Sequence, residues 1–121
     1  MQNTPRIAPV SARAAVIQRR TYSRPKDDGS FESWDEIVNR VVDHQRWLWE
    51  RARGKRLTAA QLDELEELRN IMLAREGSLS GRTLWLGGTS IAKTREISQF
   101  NCSGLRVETV HDVVDAMWLW P

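Results

Sequence analysis

The chain has 121 residues, with 18 Lys and Arg against 16 Asp and Glu and a formal net charge of +2. That length allows one small domain around a single core, and the near-balanced charge excludes a polycation along its whole length. One cysteine excludes an internal disulfide and any multi-cysteine zinc site, so a reducing, cytoplasmic setting is expected. No apolar run approaches the roughly 20 residues of a membrane span, and no apolar signal segment follows the N-terminal arginines.

Residues 1–29 read as a basic, partly disordered arm. Arg6, Arg13, Arg19, Arg20, Arg24 and Lys26 occur before any acidic residue, and Pro5, Pro9 and Pro25 interrupt the segment. Its middle, Ala14 to Ile17, is long enough for a short helix, and Lys26-Asp27-Asp28-Gly29 spells a turn. Scattered cations of this kind suit an unspecific touch on phosphates more than a groove reader.

Residues 30–79 read as a helical hairpin. Ser33 with Glu36 forms a capping box, and Asp35 and Glu36 favour the positive end of the helix. Trp34, Ile37, Val38, Val41, Val42, Leu48 and Trp49 repeat at helical spacing, and Gly54 is the expected stop. His44 lies on this helix with no second ligand type nearby, so a solvent-facing or hydrogen-bonded histidine is expected rather than a metal ligand. Thr58 with Gln61 starts a second helix, with Leu62, Leu65, Leu68 and Met72 on one side and Gly77 as its end. Its acidic first half argues against a helix-turn-helix DNA reader.

Residues 80–121 change character. Leu84-Trp85-Leu86 and the run Ile97 to Val107 read as short extended segments, with Gly87-Gly88-Thr89 in the loop between them. Such a strand pair would bring Thr83 and Cys102 together. Thr109 and Asp112 then open a last helix with Val110, Val113, Val114, Met117 and Trp118 on its apolar face and His111 at the surface. Its end at Trp120-Pro121 has nothing beyond it to cover the tryptophans, which suggests a truncated unit. The expected fold class is mainly α with a short β portion.

Cys102 is the one residue with nucleophilic or redox potential. Taken by itself it reads as a small buried apolar side chain, since no cation adjoins it in sequence to activate the thiol. Asn101 is polar within a strand-like run, which suits hydrogen bonding to a ligand. Gly87-Gly88-Thr89 offers backbone amides to a phosphate but lacks the spacing and Lys-Ser/Thr pair of a P-loop.

Three stretches, in order, resemble the monomeric, adenosylcobalamin-dependent (class II) ribonucleoside triphosphate reductases. They are Arg20-Thr21-Tyr22-Ser23-Arg24 followed by Trp34, then Ser80-Gly81-Arg82-Thr83-Leu84-Trp85-Leu86-Gly87-Gly88-Thr89, then Phe100-Asn101-Cys102-Ser103. The helix from Asp112 to Leu119 also fits, so the resemblance runs from about Thr21 to the end. It implies that residues 80–121 begin a ten-stranded α/β barrel, with Cys102 on its first strand. By the same resemblance Cys102 is one of two thiols that reduce the ribose and become a disulfide. Thr83 matches a position that meets the nucleotide, Asn101 lies beside the sugar, and Gly88 and Thr89 shape the loop there. The implied reaction replaces the ribose 2′-hydroxyl by hydrogen, with radical generation assigned to the cofactor.

The same resemblance implies a ribonucleoside triphosphate substrate, a thioredoxin-like reductant, and the remaining C-terminal part of the reductase as partners. The family's second reducing cysteine, its radical-bearing cysteine and its C-terminal cysteine pair have no counterpart here, and no adenosylcobalamin site is visible in the chain. An N-terminal fragment, inactive alone, is therefore expected. Two other readings fit the residues: a non-enzymatic helical adaptor binding through exposed tryptophans, and a small nucleic-acid binder using the basic arm.

Overall fold

A computed structural model describes residues 10–100, 102 and 104–119. Among the described residues six α-helices run in chain order: α1 Ala12–Ile17, α2 Trp34–Arg53, α3 Ala59–Leu73, α4 Gly81–Leu86, α5 Ser90–Thr94 and α6 Val110–Leu119. A π-helical turn, Gln18–Tyr22, continues α1, and a 3-10 turn, Glu96–Gln99, follows α5.

The long hairpin forms as its capping residues require. Glu36 accepts the Ser33 amide at 2.7 Å. That amide and the Lys26 ammonium hold the Glu36 carboxyl down to about 2. Gly54 ends α2 in the left-handed region at φ 64°, where a side chain would be strained. Thr58 and Gln61 cap α3 reciprocally, at 3.4 Å and 3.1 Å. The expected stop at Gly77 is displaced: α3 ends at Leu73, and Arg75 takes the left-handed conformation at φ 60°. A non-glycine residue there costs energy that its surroundings must offset. The Arg75 guanidinium lies 4.2 Å above the Trp34 ring and donates to Gln18 at 2.8 Å.

Ile37, Val38, Val41 and Met72 have no exposed surface, and Trp34, Val42, Leu57, Leu65, Leu73 and Leu84 complete the core. Trp34 also donates its indole N–H to the Met72 carbonyl at 2.9 Å. The same carbonyl, in the last turn of α3, also accepts the Arg75 amide at 3.1 Å. Leu62, expected on the inner side, is instead exposed. Part of the basic arm is ordered against this body: Arg19 stacks on Phe31, Lys26 pairs with Glu36 at 2.9 Å, and Pro25 bridges to Phe31.

The expected strand pair is corrected by the structure. Gly81–Leu86 is a helix, Glu96–Gln99 is a 3-10 turn, and residues 104–108 carry no regular secondary structure. The bridge between Pro25 and Phe31 is the one β pairing among the described residues. Three apolar residues in a row are too few to show a period, and Ser80 decides the outcome by capping the Thr83 amide at 3.3 Å.

Candidate functional site

The loop Gly87-Gly88-Thr89 is a tight joint between α4 and α5, pressed against α2. A Cβ on Gly87 would stand 2.5 Å from the Thr83 carbonyl oxygen. One on Gly88, whose φ is +82°, would stand 2.7 Å from Arg40 Cγ and 3.0 Å from the Arg40 carbonyl oxygen. Neither space admits a side chain, so close approach to α2 explains both glycines. Thr89 caps α5: its hydroxyl receives the Ala92 amide at 3.3 Å and donates to the Leu86 carbonyl at 2.6 Å.

Arg40 is what this joint closes on. Its guanidinium grips the Glu32 carboxylate with two bonds, 2.7 Å and 2.8 Å. It also donates to the carbonyls of Leu84 at 3.1 Å, Gly87, and Tyr22 at 3.4 Å. Glu32 further accepts the Arg24 amide at 3.1 Å. The two side chains are only 15% and 12% exposed, so this is a partly buried, multiply hydrogen-bonded pair that ties the basic arm, α2 and α4 together. The residue types were in plain view, but nothing in the spacing of Glu32, Arg40 and Gly87 announces a shared contact.

Thr83, expected at the nucleotide, lies on α4 with its hydroxyl 2.9 Å from that of Ser80. Cys102 is exposed rather than buried, so its thiol is open to chemistry. Asn101 lies outside the described residues. Among the described residues no hydrogen bond joins Thr83 to the Cys102 segment. Instead the segment just before Cys102 is held through three other side chains. Arg82 of α4 donates to the Ser98 carbonyl at 3.0 Å. Arg51 of α2 pairs with Glu96. His44 of α2 meets the Gln99 amide, Nε2 to Nε2, at 2.9 Å.

His44 is 1% exposed and stacks on Trp47 at 5.6 Å, so of the two expected readings the hydrogen-bonded one holds. Its Nδ1 is buried with no hydrogen-bond partner. Burial pushes its pKa below the usual value, Lys93 and Arg40 push the same way, and Glu96 opposes them. No alternation or motif marked Arg82, His44 and Gln99 as a set. The one signal was a histidine on the apolar side of an amphipathic helix.

Among the described residues no group of three His, Cys, Asp or Glu side chains could hold a metal, and no helix is long and apolar enough to cross a membrane. A cavity of about 360 Å³ lies between α1, the α3 end and α4, lined by Ile17, Tyr22, Trp34, Arg75, Leu79 and Leu84. A corrinoid does not fit the described residues. That cavity is far too small for the macrocycle, His44 is enclosed by protein, and His111 stands exposed on α6 without a second ligand.

The family described as "Ribonucleotide reductase alpha domain" matches residues 3–89. Among known proteins, the adenosylcobalamin-dependent ribonucleoside-triphosphate reductases of Lactobacillus gasseri and Lactobacillus leichmannii are each 33% identical over 91 residues. That of Lactobacillus acidophilus is 33% identical over 92 residues. Each alignment covers 72% of this chain and 12% of the relative, so the chain spans about one eighth of the length of the reductases it matches. No solved structure matches. The family match takes in the capped hairpin, the Arg40–Glu32 pair and the glycine joint, all within residues 3–89, and on that span the chain belongs to the ribonucleotide reductase alpha-domain family.

Proposed function

We propose that this chain is the N-terminal part of a cytoplasmic, adenosylcobalamin-dependent ribonucleoside triphosphate reductase, with residues 1–29 as an arm, 30–79 as a helical hairpin and 80–121 as the approach to the catalytic barrel. The observation that carries the reading is family membership over residues 3–89, together with an exposed thiol further along the chain at Cys102. In this reading Cys102 is one of two reducing thiols. Together the pair gives up two electrons and two protons, closes to a disulfide, and the ribose 2′-oxygen leaves as water. The second thiol, the cofactor site and the thioredoxin-like reductant belong to the rest of the enzyme. Thr83, Gly88, Thr89 and Asn101 are proposed to face the nucleotide.

The exposed apolar face of α6 supports the need for that remainder. Val110, Met117 and Trp118 are 78%, 77% and 81% exposed, and burying side chains of this size contributes roughly 1.5–3 kcal/mol each. The test is complementation. The 121-residue chain alone forms no deoxynucleotide, since one thiol cannot close an intramolecular disulfide. Mixed with a polypeptide supplying the remaining reductase sequence, it co-elutes and turnover appears. Cys102→Ser then abolishes multiple turnover and leaves co-elution intact. Normal turnover by that variant would show that Cys102 is not a reducing thiol.

A further inference from the structure

We propose that His44 is a positioning residue for the Cys102 segment: as a neutral imidazole it latches the 3-10 turn Glu96–Gln99 onto α2, and taking up a proton releases that turn. The functional meaning of the latch rests on the reading of Cys102 as a reducing thiol. The latch itself stands on geometry alone.

The argument begins with the bond at 2.9 Å between the His44 ring and the Gln99 side-chain amide. Gln99 can either donate its N–H to a bare Nε2 or accept an Nε2–H through its oxygen, depending on which way the amide faces. In both arrangements the ring is neutral. A second proton then leaves the charged ring with an N–H that nothing accepts. It either lands on Nδ1, which is buried with no partner, or displaces the Gln99 donor from Nε2. An unpaired charged N–H in a site 1% exposed is costly.

The surroundings make the site hostile to that charge from several sides. Lys93 of α5 and Arg40 of α2 are cations facing the ring, and Glu96 on the turn is the opposing carboxylate. Glu96 is already paired with Arg51 of α2. Trp47 covers one face of the ring and is itself approached by Arg51 at 5.1 Å and Lys93 at 5.9 Å. The end of α4 closes another side, since a Cβ on Gly87 would sit 3.5 Å from the ring. The other two ties to the turn, Arg82 to the Ser98 carbonyl and Arg51 to Glu96, are made by arginines that keep their charge throughout. His44 is thus the tie that a proton can cut.

The sign follows from the direction of the shift. The folded-state pKa of His44 lies below its unfolded value, so the latch is fully formed above the ordinary histidine range and is lost as pH falls through it. The turn ends three residues before Cys102, so its release takes away the fixed position from which the thiol would meet a sugar held elsewhere.

The test is amide hydrogen exchange on the full chain, with each rate divided by its intrinsic rate at that pH. Between pH 7.5 and 5.5, protection at Ser98 and Phe100 is expected to fall at least about fivefold, while Val41 and Val42 of α2 keep theirs. Gln99→Glu supplies a carboxylate that welcomes the imidazolium, so its turn should hold or gain protection as pH falls. His44→Gln keeps an amide at the contact without a titrating proton, and its protection should be flat with pH. A wild-type turn whose protection does not change with pH overturns the latch. So does a Gln99→Glu variant that loses protection as the wild type does, or loss in α2 equal to that in the turn. In the complemented enzyme, kcat should fall on the acid side with KM unchanged, and Gln99→Glu should move that limb to lower pH. If the exchange results hold but Cys102→Ser turns over normally, the latch stands and the reading of Cys102 fails.

Discussion

Residues 33–73 and residues 109–118 carry the same kind of sequence pattern and end in opposite environments. Both hold capped helices with an apolar face, Ser33 to Glu36 at the start of α2 and Thr109 to Asp112 at the start of α6. In α2 that face is sealed: Ile37, Val38 and Val41 are fully buried. In α6 the corresponding residues Val110, Val113, Val114 and Met117 all face outward. Helical periodicity reveals which side of an element wants cover and says nothing about where the cover comes from. For α2 it comes from α3 within the same hairpin. For α6 the described residues leave that face open.

The comparison is sharpened by substitutions on each side of it. The largest effect is expected for Trp34→Ala, which removes a core ring, the bond to the Met72 carbonyl and the surface under Arg75. Urea unfolding followed by circular dichroism should show a loss of about 3–5 kcal/mol. Glu32→Gln comes next. It leaves the Arg40 guanidinium short of its carboxylate, and a loss of about 2–3 kcal/mol is expected, less than for a fully buried pair because both side chains keep some exposure. An unchanged midpoint would mean that the backbone carbonyls of Leu84, Gly87 and Tyr22 suffice for Arg40.

Two glycines make a paired test of the same contrast. Gly88→Ala forces a Cβ into Arg40 at positive φ and should cost about 1–2 kcal/mol, whereas Gly104 has nothing within 4 Å and its replacement by Ala should be near neutral. The smallest effect is expected on α6. Val114→Ser should change the stability of the chain by less than about 0.5 kcal/mol, because the side chain is already 58% exposed. The same change should weaken co-elution with the remaining reductase sequence. If it instead destabilises the chain alone, α6 packs on the body in solution.

How much of this was legible depends on whether a feature is local. Ser33, Gly54 and Thr58 mark their own boundaries, and α2 runs from Trp34 to Arg53 as they dictate. The end of α3 was misread because Arg75, with support from Trp34 and Gln18, takes a backbone conformation usually left to glycine. The Gly81–Leu86 helix was misread as extended because its apolar run is short and its cap, Ser80, lacks the Glu, Gln or Asp three residues on that made the other caps obvious. Apart from the Glu32–Arg40 pair, eight residues apart, the Arg40 network and the ties to the 96–99 turn join residues that are far apart in sequence, and no pattern within a window of a dozen residues contains them.

The reach of Arg40 also bears on the order of folding. Its partners lie 18 residues before it at Tyr22, and 44 and 47 residues after it at Leu84 and Gly87. The α2–α3 hairpin needs only the short Gly54 link to close, so it can form early, with Arg40 still hydrated along one edge. The glycine joint must then arrive across a much longer loop, and its contacts with Arg40 belong to the last steps. Changes at Gly88 should therefore hasten unfolding while leaving the folding rate nearly untouched, and the joint beneath the proposed nucleotide site becomes the part of the body that opens first.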